Sequence, residues 1–358
     1  MLNALKELSG AGGSALKKII VRKFQESDVE DVVEIFSQVG DVRTEEERKR
    51  TLEHLKKAAR EPRWYDNYLV AELERRVVGR VILEAAYPPY SELINLYVHS
   101  NYQGRGVGSS LVQSCIKIAS AHKCFVISAM TDPVGNLPAH RLYSKFGFRP
   151  GILGDPSAKR GHMWLFRFSE ESCVPEFLKR HPFAEPSVAS SKVDFQGRML
   201  YCMAWRDPQS EDKLVLYLEG QPSQIPEGTM PRIAGFSYQE KDVGLEALVQ
   251  EQSKIIRRGE TSGFITSLWN IGTKPLQIAL SASIPDGTVL ALSSQLLPPI
   301  EINPKNERTI QFELTWPSSC DLPEFTTFST VPATCFFQIE DLEQPLFASA
   351  GFEKEELA

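Results

Sequence analysis

The sequence predicts two parts: a mixed α/β domain with a central sheet flanked by helices over residues 19–170, and a β-rich domain over residues 193–358. Three observations carry this reading. Residues 19–168 alternate strand-like and helix-period segments. From Gly263 onward, short β-branched and aromatic runs recur between turn signals such as Asn270-Ile-Gly272, Pro285-Asp-Gly287, Pro298-Pro299 and Asn303-Pro304. Between them, Ser169–Lys192 is broken by Pro175, Pro182 and Pro186 and sustains neither period, so residues 171–192 read as a linker. A chain of 358 residues with 42% hydrophobic content can fill two or three cores.

The elements follow in order. Residues 1–18, centred on Gly10-Ala-Gly-Gly-Ser14, read as a flexible leader with no signal-peptide pattern. Ile19–Phe24 is a short strand. Glu26-Ser-Asp28 opens a helix whose apolar Val29, Val32, Val33, Ile35 and Phe36 keep helical spacing, with acidic residues favourable in its first turn. Thr44 to Arg60 is a second, highly charged helix, in which Thr44 and Glu47 form a capping-box pattern. Tyr68–Glu74 and Val77–Ala86 are strands joined at Arg75-Arg76. Leu93–Val98 is a strand, Val107–His122 a helix, Cys124–Met130 a buried strand, Pro138–Phe146 a helix and His162–Phe168 a closing strand. Farther on, Met199–Trp205 and Lys213–Leu218 read as strands, and Val243–Ile256 as one amphipathic helix. Phe264–Trp269, Leu276–Ala282, Val289–Leu292, Thr309–Leu314 and Cys335–Ile339 predict an immunoglobulin-like sandwich with its core at about residues 260–353.

Composition narrows the function. No apolar run approaches the ~18 residues of a membrane span. The six cysteines form no Cys-x-x-Cys pair and the chain has no Asn-x-Ser/Thr sequon, which suits reduced thiols in a cytoplasmic protein. The six histidines show no metal-ligand spacing, so no metal is expected. Residues 1–170 hold 25 Lys+Arg and 20 Asp+Glu, while residues 171–358 hold 15 and 26, so net charges of +5 and −11 sum to −6. The basic part suits an anionic ligand. The acidic part argues against nucleic acid, and either attracts a cationic acceptor or keeps the chain soluble.

Chemistry enters at Leu96-Tyr-Val-His-Ser-Asn-Tyr-Gln103-Gly-Arg-Gly-Val-Gly108-Ser109. A strand-like run ends at Val98, and a helix-period pattern starts at Val107 and continues through Leu111, Val112, Cys115 and Ile116. A glycine-rich turn between strand and helix presents backbone N–H groups without intrahelical partners, at the positive end of a helix dipole. Such a site suits a phosphate or pyrophosphate. The spacing is neither Gly-x-Gly-x-x-Gly nor a P-loop. With Gln103, Gly106 and Gly108 at its fixed positions, Gln-x-x-Gly-x-Gly resembles motif A of the GNAT superfamily of acetyl-coenzyme A-dependent N-acyltransferases. The strand and helix order over roughly residues 19–170 is also similar to that family's.

The resemblance assigns roles. Leu96, Tyr97, Val98, Gln103, Gly104, Arg105, Gly106, Val107, Gly108 and Ser109 would hold acetyl-CoA. The strand end would pair with the pantetheine arm, and a backbone N–H near Val98 would bind the acetyl carbonyl. Arg105 either reaches a phosphate or points to solvent. Asn136-Leu-Pro-Ala-His-Arg-Leu-Tyr143-Ser-Lys-Phe-Gly147-Phe148 resembles motif B. In the family such a tyrosine is the general acid for the departing thiolate, and the asparagine contacts pantetheine or orders the loop. A tyrosine on an amphipathic helix is ordinarily a core aromatic, but in register with motif A Tyr143 reads as the acid; Gly147-Phe148 reads as a cap and core anchor.

Glu92, eleven residues before Gln103, lies where some family members carry a catalytic glutamate. A carboxylate beside an apolar strand has its pKa raised towards the range useful for a base. A solvated glutamate at a strand start, with water chains or Glu84 as base, is the competing reading. Gln38–Asp41, Trp64-Tyr65, Tyr87–Tyr90 and Asp155–His162 would form the acceptor edges.

Together these readings imply an N-acetyltransferase that moves an acetyl group from acetyl-CoA, as co-substrate, to a primary amine. The amine belongs to a small molecule, a peptide or a protein lysine, with no nucleic acid, membrane or metal involved. The β-rich domain would serve acceptor or partner recognition, and residues 1–170 would fold alone. The alternative is a non-catalytic coenzyme A-binding sensor, or a scaffold acting through its β-domain.

Overall fold

The computed structural model describes residues 18–60, 67–132, 135–153, 163–189, 191–220, 231–284, 290–292, 296–319, 330–340 and 342–355. The leader, Trp64-Tyr65, Asp155–His162 and Pro285-Asp-Gly287 lie outside them, apart from Lys18. By their internal contacts the residues divide into two compact units. The first runs up to Ile82 and includes Asn95–Ser114; the second is Leu83–Ile94 with Cys115–Ala358. The division falls inside two strands and a helix, and not at residue 170.

The first unit holds β1 (Ile20–Lys23), α1 (Val29–Val39), α2 (Glu45–Arg60), β2 (Tyr68–Leu73), most of β3 (Arg76–Tyr87), the end of β4 (Tyr90–Val98) and the start of α3 (Val107–Ala121). β2 pairs antiparallel with both β1 and β3. Glu74 and Arg75 turn between β2 and β3 with φ of 57° and 64°, the two successive left-handed residues that a two-residue hairpin turn demands. α1 buries Val29, Val32, Val33 and Ile35, the expected stripe. At α2 the expected capping box is in place: Glu47 N donates to Thr44 Oγ1 at 3.1 Å, and Thr44 N to Glu47 Oε2 at 2.9 Å.

The second unit continues with β5 (Val126–Thr131), α4 (Leu137–Lys145), β6 (Arg149–Ile152), β7 (Met163–Phe168), α5 (Cys173–Arg180), β8 (Glu185–Val188), β9 (Val193–Phe195), β10 (Arg198–Arg206), β11 (Lys213–Glu219), β12 (Arg232–Glu240) and β13 (Val243–Glu251). It ends with β14 (Ile255–Arg257), β15 (Thr261–Asn270), β16 (Leu276–Ser283), β17 (Ala291–Leu292), β18 (Ile300–Ile302), β19 (Glu307–Thr315), β20 (Thr330–Ile339) and β21 (Leu346–Glu355). β4 pairs parallel with β5, from Tyr90 opposite Val126 to Leu93 opposite Ala129, and β7 then pairs antiparallel with β5 and β6. A nine-stranded sheet has the order β17-β19-β15-β13-β12-β11-β10-β8, with β9 also on β10; a five-stranded sheet has the order β14-β21-β20-β16-β18.

Two expectations are corrected. Val243–Ile256 is not a helix. It forms β13, which pairs with β12 on one side and β15 on the other, and β14. Val243, Leu245, Ala247, Leu248 and Val249 are all buried, so both faces of β13 are covered. An apolar run buried on both faces has no alternation and mimics a helix stripe. The stretch read as structureless holds α5 and β8. β6 has no counterpart among the expected strands; its Pro150 and Gly151 are turn-forming residue types. Gly151 is there for packing: a Cβ on it would lie 2.3 Å from the Phe166 ring and 2.7 Å from Met203 Sδ.

One large core cluster fills most of the second unit, with Phe195, Leu200, Ala234 and Leu248 in a smaller one. Phe236 of β12 meets Phe337 of β20 edge-on at 5.2 Å, and Phe264 of β15 meets Phe352 of β21 at 6.2 Å, so aromatics join the two β-rich sheets. Phe168 of β7 packs edge-on against Trp205 of β10 at 5.7 Å, and Tyr90 of β4 against Phe347 of β21 at 5.9 Å. Strands β4, β5 and β7 therefore share one hydrophobic core with the β-rich sheets.

Candidate active site

In the first unit the sequence-predicted loop is built from the end of β4. Leu96, Tyr97 and Val98 are half-buried. Behind Tyr97 lies the buried guanidinium of Arg80, 4.3 Å from the Phe36 ring, 4.7 Å from Tyr68 and 5.8 Å from Tyr97, a cation held against ring faces. Burial, and then the neighbouring Asp41, push the Tyr97 hydroxyl above its ordinary pKa.

His99 N donates to Val78 O at 2.9 Å, and Tyr102 N to His99 O at 2.8 Å, closing a short 3-10 turn over Ser100–Tyr102. Gln103 Nε2 donates to Val98 O at 3.2 Å, so this side chain ties the loop to the strand end. Gly104 and Gly106 are exposed, with φ of 73° and 88°, in the left-handed region where a side chain is strained. A Cβ on Gly104 would meet nothing within 4 Å, and one on Gly106 only Ile19 Cδ1 at 3.8 Å. The glycines therefore serve backbone conformation, on a face left open. Arg105 is exposed, its guanidinium 5.3 Å from the Tyr102 ring.

α3 then begins at Val107, which is 1% exposed, with Ser110 N donating to Gly106 O at 2.9 Å. The N–H groups of its first turn have no intrahelical acceptor and point back at the loop, with Gly108 and Ser109 among them. Close docking of this turn is secured by Gly79 of β3, where a Cβ would lie 2.8 Å from Val107 Cγ1 and 3.2 Å from Leu111 Cδ1. The arrangement can bind a pyrophosphate through backbone amides.

Sequence reasoning missed the polar group that supports this loop. His99 is 6% exposed; its Nε2 lies 2.8 Å from Gln38 Nε2 and 3.2 Å from Glu34 Oε1, while Ser100 N donates to Gln38 Oε1 at 2.9 Å. Gln38, expected at an acceptor edge, thus braces the phosphate-type loop. The available signal was a histidine directly after a strand and ahead of the glycines.

The second unit carries the remaining predicted residues. Glu92 lies inside β4 and not ahead of it, opposite Ser128 of β5, and is 4% exposed. Its Oε2 is buried without a hydrogen-bond partner. Burial first, and then the buried Glu84 of β3, raise its carboxyl well above the ordinary carboxylate range. It is therefore no solvated glutamate: burial disfavours its charged form and raises its affinity for a proton. Asn136 is the N-cap of α4, with Oδ1 accepting from Ala139 N at 3.3 Å. Two turns on, Tyr143 is 5% exposed with its ring 5.3 Å from Phe148, and Gly147 takes φ of 84° in the helix-ending turn. Among the described residues, no group of His, Cys, Asp and Glu could hold a metal ion.

Among comparisons with known proteins, one with family profiles places its match on the first part of the chain. Residues 30–148 match the profile of the acetyltransferase (GNAT) family, so the chain carries an acetyltransferase domain of GNAT type. Similar solved structures include a ribosomal-protein-alanine N-acetyltransferase from Brucella melitensis, 22% identical over 42% of this chain and 99% of that one, with a TM-score of 0.34. Another is the PaiA N-acetyltransferase from Thermoplasma acidophilum in complex with coenzyme A, 20% identical over 42% and 99%, TM-score 0.35. A third is an N-acetyltransferase from Staphylococcus aureus, 18% identical over 42% and 98%, TM-score 0.33. No curated protein matches the chain.

Proposed function

We propose that the chain is an acetyl-CoA-dependent N-acetyltransferase that acetylates a primary amine by direct attack on the thioester. One observation carries the reading. A loop with two exposed, left-handed glycines leads into a helix start, where the first-turn amides lack intrahelical acceptors, inside the segment that matches the acetyltransferase family. Gln103–Ser109 hold the pyrophosphate through backbone N–H groups, and Leu96, Tyr97 and Val98 offer their strand edge to the pantetheine arm. Glu92 takes a proton from the acceptor ammonium, with Glu84 the neighbouring carboxylate that keeps its proton affinity high. The amine nitrogen bonds to the acetyl carbon, the carbon–sulfur bond breaks, Tyr143 protonates the departing thiolate, and the nitrogen's surplus proton restores the Tyr143 hydroxyl, while Asn136 fixes the start of its helix.

The charge of −11 on residues 171–358 supports a cationic acceptor, and the β-rich domain serves acceptor or partner recognition. Its core at about residues 260–353 is an immunoglobulin-like sandwich in this reading, with β15 and β19 in one sheet and β16, β20 and β21 in the other. The free thiols of Cys115, Cys124, Cys173, Cys202 and Cys335 support a cytoplasmic location.

The test is incubation of the full chain with labelled acetyl-CoA and a panel of polyamines, peptides and protein lysines. Label transfer to an amine that is lost in Gly106→Asp supports the reading. Acetyl-CoA binding without transfer to any amine would point to the sensor instead.

A further inference from the structure

We propose that Tyr90 is a positioning residue, through which β12 and β21 of the β-rich sheets set the placement of β4 and hence of the Glu92 carboxylate. The inference rests on the reading of Glu92 as the base. Tyr90 is 1% exposed, and its hydroxyl is the meeting point of three strands. It accepts the Ile233 N–H of β12 at 3.1 Å and shares a hydrogen bond with Ser349 Oγ of β21 at 2.9 Å. Ser349 is itself fixed, with its Oγ 2.8 Å from Thr334 Oγ1 of β20 and its carbonyl accepting from Arg232 Nε at 3.2 Å. Arg232 is 4% exposed and ion-paired to Glu251 at 3.3 Å. The tyrosine thus hydrogen-bonds to a braced polar cluster, where a buried hydroxyl cannot change partner without cost.

Glu92 stands two residues along the same strand, on the same face, about 7 Å away. Between them β4 is held to β5 by the paired register and by Ser91 Oγ donating to Val126 O at 3.3 Å. A shift at Tyr90 is therefore delivered to Glu92 by a stiff strand. The charged group acting on Glu92 is Glu84 of β3; Ser128, opposite on β5, is uncharged, and Arg232 of β12 acts on Tyr90. With no partner on Oε2, placement in a dry environment is what keeps the Glu92 pKa high.

The test compares Tyr90→Phe and Ser349→Ala with the full-length wild type. Three readings are taken: kcat and KM, the acid limb of the kcat/KM profile, and the Glu92 carboxyl titration by carbon NMR, assigned with Glu92→Gln. In both variants kcat falls by about 10- to 100-fold with KM for acetyl-CoA unchanged, because misplacing a reacting group costs orders of magnitude. Loosening β4 admits water, so the acid limb and the Glu92 titration both move down in pH. Phe347→Leu trims packing against the same ring and leaves the hydroxyl bonds in place. It lowers Tm without moving either titration, as a purely structural role would. If Tyr90→Phe does not fold, Ser349→Ala carries the test. An unmoved Glu92 titration in the folded variants, or an equal movement in Phe347→Leu, overturns the inference. An inactive wild type, or a Glu92→Gln variant of full activity, sinks the functional reading, while the NMR titration still decides whether Tyr90 positions Glu92.

Discussion

The loop Gln103–Ser109 and the strand segment Tyr90–Leu93 prepare for chemistry in opposite ways. From Gln103 to Gly106 the loop is exposed, a Cβ on Gly104 or Gly106 would meet nothing closer than 3.8 Å, and what the loop offers is backbone amides. The strand segment is buried throughout, and the carboxylate that the proposed function makes its working group behaves as its surroundings dictate. Backbone chemistry is written locally, because only glycine tolerates those φ values. A burial-tuned carboxylate is made by residues distant in sequence, such as Ile233 and Ser349 around Tyr90. The first can be moved between contexts; the second depends on the whole second unit.

The largest effect that follows is on a fragment ending at residue 170. It keeps the entire loop but strips the β-rich sheets from Tyr90, Trp164 and Phe166, which lie in their core, and from Phe168, which packs on Trp205. Truncating a single buried aromatic costs about 3–5 kcal/mol, and this cut uncovers several at once. The expected product is insoluble, or soluble without a cooperative melt, as read by soluble yield and circular dichroism. A folded fragment that binds acetyl-CoA would instead restore the boundary that the sequence suggested. Next in size is Gly106→Asp, which puts a strained residue and a negative charge at φ of 88° in the loop. The fold should survive, since no neighbour lies closer than 3.8 Å to the new Cβ. The rise in Tm with acetyl-CoA should disappear, because stabilisation by mass action needs binding.

What the sequence made legible follows the same divide. Helix ends and the glycine loop were readable because capping boxes, left-handed glycines and helix stripes are local. The α2 box at Thr44 and Glu47 and the stripe of α1 stand as expected. β13 was read as a helix because its two buried faces erase the alternation that marks a strand, and only pairing with β12 and β15 decides the matter. Glu92 was placed at the edge of its strand, and its competing reading as a solvated residue could not be dismissed. Its dryness comes from packing on β4 that no local pattern reports. Gln38 was assigned to an acceptor edge because nothing nearby in sequence reveals its bonds to Ser100 and His99.

A smaller effect separates catalysis from packing at Tyr143. Tyr143→Phe deletes one hydroxyl and leaves the contact with Phe148, so stability and acetyl-CoA binding should stay close to wild type. As the general acid its loss should lower kcat by about 10²-fold with KM unchanged. A raised KM at unchanged kcat would make it a binding or core residue, and would place the acid elsewhere.

The smallest effect is thermodynamic and concerns the carboxylate alone. Glu92 has a folded pKa raised above its unfolded value, so between those two values the native state holds a proton that the unfolded state has released. Stability from this group therefore falls as pH rises from the unfolded pKa of about 4.3, and levels off above the folded pKa. Glu92→Gln keeps the shape and removes the titration. Its Tm should match wild type at low pH, where both side chains are neutral, and exceed it at neutral pH, by about 2–4 °C for each kcal/mol regained. The same substitution should remove activity, so one position would gain stability and lose function together, as a group kept strained for catalysis does. A Tm difference that does not change with pH would mean that Glu92 is not held against its own charge. The contrast between the open loop and the buried carboxylate would then have no electrostatic basis.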